Sequence, residues 1–132
     1  MPSTAFDTKR AARAPDVIAA DGSEVRVLCG LPRGTMAVFT LGPQQIARPI
    51  AHRTVEEVWY ILSGRGRMWR KLGDQEALTE LAPGLSLTIP CGARFQFRCD
   101  GPVPLAVVAV TMPPWPGESE AYATEGKWQP TV

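Results

Sequence analysis

The chain has 132 residues, enough for one domain with its own core and too few for a two-domain enzyme. Lys plus Arg number 14 against 13 Asp plus Glu, with no long run of either sign, which argues against a dedicated nucleic-acid binder. One histidine, His52, excludes two-His and three-His metal sites within a single chain, and three cysteines (Cys29, Cys91, Cys99) without a C-x-x-C pair exclude a four-cysteine zinc site and a closed disulfide framework.

Gly and Pro are abundant, at 12 and 13 residues, beside 45% hydrophobic content, a combination that suits short strands joined by tight turns. Residues 1–14 carry Lys9, Arg10 and Arg13 without apolar periodicity and are expected to be a loose, solvated arm. They lack the apolar core of a signal peptide, and nowhere do about 18 apolar residues run together, so a cytoplasmic protein with no membrane segment is expected. The expected barrel spans residues 15–112. Val17 to Ala20 and Glu24 to Leu28 flank Asp21-Gly22 as a hairpin, the run from Cys29 to Gly34 breaks the chain, and Thr35 to Leu41 is a further strand.

Val55 to Leu62 is rich in β-branched and aromatic residues and reads as a central strand ending at Ser63-Gly64. Alternation puts Glu57, Trp59 and Ile61 on one side and Glu56, Val58, Tyr60 and Leu62 on the other, and large apolar groups on both predict that both faces are covered. Arg65 to Leu72, Glu76 to Leu81, Leu85 to Ile89, Arg94 to Cys99 and Leu105 to Met112 follow as strands separated by Gly- or Pro-containing turns. This spacing belongs to an all-β antiparallel sandwich or barrel. Residues 113–132, with Trp115 and Trp128 among prolines, are expected to lie extended over the barrel or over a partner subunit.

Two stretches resemble the cupin superfamily, whose first motif is G-x5-H-x-H-x3-or-4-E-x6-G and second G-x5-P-x-G-x2-H-x3-N. His52, Glu57 and Gly64 match the first, and Gly84, Pro90 and Gly92 the second; the opening glycine falls on Gln44 and the final asparagine on Cys99. The resemblance covers most of the chain and implies an antiparallel jelly-roll β-barrel, with the glycines and proline setting the turns. The family's metal ligands map to Ile50, His52, Glu57 and Phe95, of which two remain able to coordinate. No metal cofactor is therefore expected, the alternative being a weakly held divalent transition metal on His52 and Glu57. Cys99 lies on the expected inward face but in the asparagine slot, and a small buried hydrophobe is the expected role. Glu56 could replace Glu57 only through a register slip that would flip every neighbour.

The site residues expected from these observations are His52 and Glu57 as a catalytic pair, with the carboxylate orienting the imidazole and raising its pKa. Tyr60 is the nearest tyrosine, but its parity points it away from them. Trp59, Met68, Phe95 and Phe97 are expected to line a pocket for a small, partly aromatic ligand, against the alternative of a filled barrel core. The expected function is small-molecule binding, with metal-independent acid/base chemistry of isomerase, epimerase or cyclase type as its enzymatic form. A metal-dependent dioxygenase or lyase, and an inactive ligand-binding or scaffold protein, stay open beside it. Arg65, Arg67, Arg70, Lys71, Arg94 and Arg98 form a basic set expected to be solvated or neutralised, with Trp69 stacked under an arginine. A homodimer is expected, in which the hairpin of residues 16–28 adds to the partner's sheet and covers its edge.

Overall fold

A computed structural model describes residues 4–132, so the first three residues of the expected arm lie outside it. The described residues contain no helix. Strands β1 (Val17–Ile18), β2 (Glu24–Leu31), β3 (Gly34–Leu41), β10 (Leu105–Met112), β5 (Glu56–Ser63) and β8 (Ser86–Ile89) lie in that order in one sheet. The second sheet has the order β11 (Ala121–Ala123), β4 (Ile50–His52), β9 (Arg94–Cys99), β6 (Gly66–Leu72) and β7 (Gln75–Leu81). Every strand pair is antiparallel. Two such sheets, with the chain crossing between them, are the expected jelly roll.

The central strand keeps its alternation in place. Glu57, Trp59 and Ile61 are buried, and Trp59 and Ile61 pack in one core cluster with Leu41, Phe97, Leu105 and Val107. The opposite face departs from expectation. Val58, Tyr60 and Leu62 are 42%, 47% and 47% exposed on the outer side of the six-stranded sheet, where the arm bonds Arg26 on β2 through the Ala12 and Arg13 carbonyls and leaves the middle of the sheet open. Register extends this apolar face through Val108 and Val110 on β10, which pair with Tyr60 and Val58, to Val38 and Met36 on β3.

Three further differences have local causes. The expected break after Leu28 is a bulge between Val27 and Gly30, after which β2 continues to Leu31 and turns back into β3. Strands β4 and β11, three residues each, are too short for alternation to reveal. Beyond Met112 the chain also rejoins the second sheet, where Ala121 to Ala123 pairs with β4. Fully buried Gln96 anchors this segment: Nε2 donates to the carbonyls of Ala47 and Trp128, and Oε1 accepts from the N–H groups of Lys127 and Trp128.

Gly64, which closes the first motif, sits at φ +82°, where a side chain would also collide with the Pro104 carbonyl. The basic residues of β6 and β9 do become neighbours, with Arg67 opposite Arg98. Asp100 accepts from Nε of both at 2.7 Å, and the ring lying against both guanidinium groups is that of Trp128. The indole N–H of Trp69, expected to stack under an arginine, instead donates to Glu76 at 2.7 Å.

Candidate functional site

His52 ends β4, held between β9, through the pairing of Ile50 with Phe95, and β11, where Ala121 lies opposite His52. Glu57 and Trp59, two residues apart on β5, point inward from the facing sheet. The Trp59 indole N–H donates to Glu57 Oε1 at 2.6 Å. The other carboxyl oxygen is 3.8 Å from His52 Nε2, beyond hydrogen-bond reach, and His52 Nδ1 is buried without a partner. The imidazole is instead wedged edge-to-face between Phe95 and Trp115, at centroid distances of 5.3 and 5.2 Å.

These groups line a cavity of about 280 Å³ in the barrel, shared with apolar residues of β1, β2 and β3. The hairpin turn adds Asp21 and Ser23, both buried, with the Ser23 hydroxyl and N–H donating to Asp21 Oδ1 at 2.6 and 2.9 Å. Thr35 and Thr111 contribute paired hydroxyls across β3 and β10. Glu120, beside the cavity, accepts from the N–H and hydroxyl of Thr54 and from the N–H of Val55 at 2.6–2.9 Å.

Burial governs the charges. It pushes the Glu57 carboxyl up to about 7; the Trp59 hydrogen bond opposes this, while Asp21 and Glu120 add like charge in the same direction. Burial also pushes His52 down to about 4, with nearby Glu120 opposing only in part. Asp21 is likewise raised by burial despite its bonds from Ser23. Glu120 meets the same burial cost, but its hydrogen bonds from Thr54 and Val55 and the nearby imidazole hold it below the ordinary carboxylate range. The expectation that Glu57 raises the pKa of His52 is therefore reversed: with no hydrogen bond between them, desolvation drives each toward its neutral form.

Of the expected site residues, His52, Glu57, Trp59 and Phe95 meet around the cavity. Met68 and Phe97 do not line it. Opposite each other on β6 and β9, both are fully buried in the core, where Phe97 packs edge-on to Trp59 at 5.0 Å. Cys99 is also in the core, its thiol donating to the Val103 carbonyl at 3.2 Å. Sequence reasoning missed Asp21, Ser23, Thr111, Trp115 and Glu120. Asp21 was visible only as a turn residue, and Trp115 only as part of a segment crossing the barrel.

The family profile described as a cupin domain matches residues 37–111. The chain belongs to the cupin family. Among solved structures it is similar to the capsular polysaccharide assembling protein CapF from Staphylococcus aureus, with TM-score 0.68, 18% identity, and coverage of 82% of this chain and 33% of that one. It is similar to Bacillus subtilis oxalate decarboxylase, described for its Mn(II) centres, with TM-score 0.69, 17% identity, and coverage of 84% and 30%. It also resembles TT1209 from Thermus thermophilus, with TM-score 0.58, 26% identity, and coverage of 74% and 90%. This cupin thus spans about a third of the length of CapF and of oxalate decarboxylase. No curated protein matches it.

The residues present do not fit a divalent transition metal. Ile50 and Phe95 put hydrocarbon at two of the four ligand positions, and one oxygen of Glu57 is already bonded to Trp59. No group of three or more His, Cys, Asp or Glu among the described residues could hold an ion. No helix among the described residues is long and apolar enough to cross a membrane.

Proposed function

We propose that this cupin binds a small, partly aromatic organic molecule in the cavity between its sheets and supports metal-independent acid/base chemistry there. The observation that supports this reading is an apolar, aromatic-walled cavity with two ionisable side chains, His52 and Glu57, on its surface. A filled core would have no use for them, since burying such groups carries a desolvation cost of several kcal/mol or forces them neutral. Glu57, titrating at about 7, is present in both protonation states near neutral pH and can give or take a proton from a ligand. Neutral His52, with Nε2 3.8 Å from the Glu57 carboxyl, is a second group that can donate or accept a hydrogen bond there. Isomerisation, epimerisation and cyclisation all need a paired donor and acceptor of this kind.

The test is elemental analysis by ICP mass spectrometry before and after dialysis against EDTA, with His52→Ala alongside. Metal well below one equivalent in both proteins is the expected result. One equivalent of Mn, Fe, Ni or Zn that is lost in His52→Ala would overturn the metal-independent reading in favour of a metal-dependent cupin.

We also propose a homodimer in the cytoplasm. The support is the outer face of the six-stranded sheet, where Met36, Val58, Tyr60 and Leu62 are 39–47% exposed around Val38, Val108 and Val110. A face made of uncharged apolar side chains complements a copy of itself across a two-fold axis better than it does a charged partner. At the edge of the same sheet β1 exposes Val17 and Ile18, within the hairpin expected to add to a partner's sheet.

A further inference from the structure

We infer that the cavity selects an organic cation, a protonated amine carried on a single flat ring, and rejects carboxylates. This rests on the proposal that the cavity is a ligand site and names the class of ligand that suits it.

The first argument is the charge of the lining. Asp21 and Glu57 face the cavity, and no Lys or Arg does. The nearby guanidinium groups are bonded elsewhere: Arg48, whose charge acts on Asp21, to the Val132 carbonyl, and Arg53 to the Ser119 carbonyl and the Tyr122 ring. An anionic ligand would meet two acids and none of the bidentate partners that carboxylates require.

Hydrogen bonding points the same way. Glu57 Oε2 accepts no hydrogen bond from any described residue, and Asp21 uses only Oδ1, toward Ser23. His52, 3% exposed, has its Nδ1 buried out of reach of the cavity, so the free acceptors are the carboxyl oxygens Glu57 Oε2 and Asp21 Oδ2. An ammonium group, with three donors and no acceptor, matches this surplus of acceptors, whereas a carboxylate would add to it.

The walls supply the remaining recognition. Phe39, Trp59, Phe95 and Trp115 line the cavity; Phe39 meets Trp59 and Trp59 meets Phe95 edge-to-face, and His52 bridges Phe95 and Trp115, so that neighbours present their faces in different directions around the space. Aromatic faces attract cations through their quadrupole, with Trp the strongest. At about 280 Å³ the cavity is just below the ~300–1,000 Å³ typical of ligand sites, which suits one ring with a short side chain.

The test measures the binding of three near-isosteric probes to the full chain at pH 7 by isothermal titration calorimetry: 2-phenylethylamine, 3-phenylpropan-1-ol and 3-phenylpropionate. The amine should bind at least tenfold more tightly than the alcohol, and the carboxylate should show no binding. Asp21→Asn and Glu57→Gln, which keep the acceptors used by Ser23 and Trp59, should each reduce amine affinity at least fivefold and leave the alcohol within twofold. Equal affinity for amine and alcohol, or tighter binding of the carboxylate, would overturn the inference and leave the cavity as a ligand site. Failure of all three probes to bind would reject the cavity reading and this inference with it.

Discussion

Glu57→Gln and His52→Asn should change the pH dependence of this protein's stability in opposite directions. The Glu57 carboxyl goes from an ordinary 4.5 to about 7, so the folded chain keeps its proton longer than the unfolded chain does. The stability linked to that proton is fully present below 4.5 and is lost as pH rises to about 7. His52 goes from 6.5 to about 4, so its contribution is fully present above 6.5 and is lost as pH falls to about 4. Each change is worth about 3 kcal/mol across its window, at about 1.4 kcal/mol per pH unit. Between pH 4.5 and 6.5 the two slopes have opposite sign and cancel.

Removing one group leaves the slope of the other, because neither shift is caused by its partner: burial dominates both, and the further influences come from Trp59, Asp21 and Glu120. Relative to the parent, Glu57→Gln should gain stability progressively from pH 4.5 to 7, by about 3 kcal/mol at the upper end. The amide keeps an oxygen for the Trp59 N–H, so little else changes. His52→Asn should show the reverse, gaining on the parent as pH falls from 6.5 toward 4, offset by a pH-independent packing loss. Urea unfolding at half-unit steps from pH 4 to 8 measures all three curves. Taking differences removes the titration of Asp21, Asp100 and Glu120, which the variants share. Parallel curves would refute the reasoning, and slopes of the opposite sign would show that His52 and Glu57 form a charged ion pair.

Gln96→Leu should destabilise the fold by about 2–4 kcal/mol, because it strands two carbonyls and two N–H groups that the amide now satisfies; thermal unfolding and proteolysis after Lys127 would read this. A wild-type melting profile would show that residues 127 and 128 add nothing to the barrel. Trp115→Ala removes a ring that is 41% exposed and lies against His52, so stability should change by less than about 1 kcal/mol while bound 2-phenylethylamine dissociates at least tenfold faster in stopped-flow fluorescence. Tyr60→Glu on the outer sheet face should shift sedimentation from dimer to monomer with the circular dichroism spectrum unchanged. An unaltered dimer would place the interface elsewhere.

The strands of the barrel were legible wherever alternation ran for four residues or more. Leu105 to Met112 alternates buried and half-buried side chains as its sequence implies, and Arg94 to Cys99 begins and ends at the expected residues. The site was half legible. His52 and Glu57 could be placed through motif spacing, and Trp59 followed from its parity with Glu57. Met68 and Phe97 were misplaced because alternation separates inside from outside but does not say how far along the barrel a side chain sits. Both point inward, into the filled part of the core, while Phe95, two residues before Phe97, borders the open part. Asp21, Trp115 and Glu120 come from a turn and from the segment after Met112, whose positions depend on long-range contacts. Thr54, for example, reaches Glu120 across 66 residues.

The replacement of the two missing ligands follows from strand register. Ile50 and Phe95 are direct partners between β4 and β9, and both border the cavity, so the two positions form one patch of wall. Hydrocarbon there removes an imidazole from each strand and lowers the polarity around the groups that remain. Burial, to which this patch contributes, is the leading cause of the displaced pKa values of His52 and Glu57. A carboxyl that burial has moved to about 7 can exchange a proton with an organic ligand and becomes an anion when an ammonium group sits beside it. Under the proposed function, the substitutions that make the metal motif incomplete also supply the surroundings for acid/base chemistry, and Phe95→His should reverse both, drawing Glu57 back toward the ordinary carboxylate range as a charged or metal-bound imidazole appears beside it. If Phe95→His still bound no metal and left the pH dependence of stability unchanged, polarity at this patch would not be what controls Glu57.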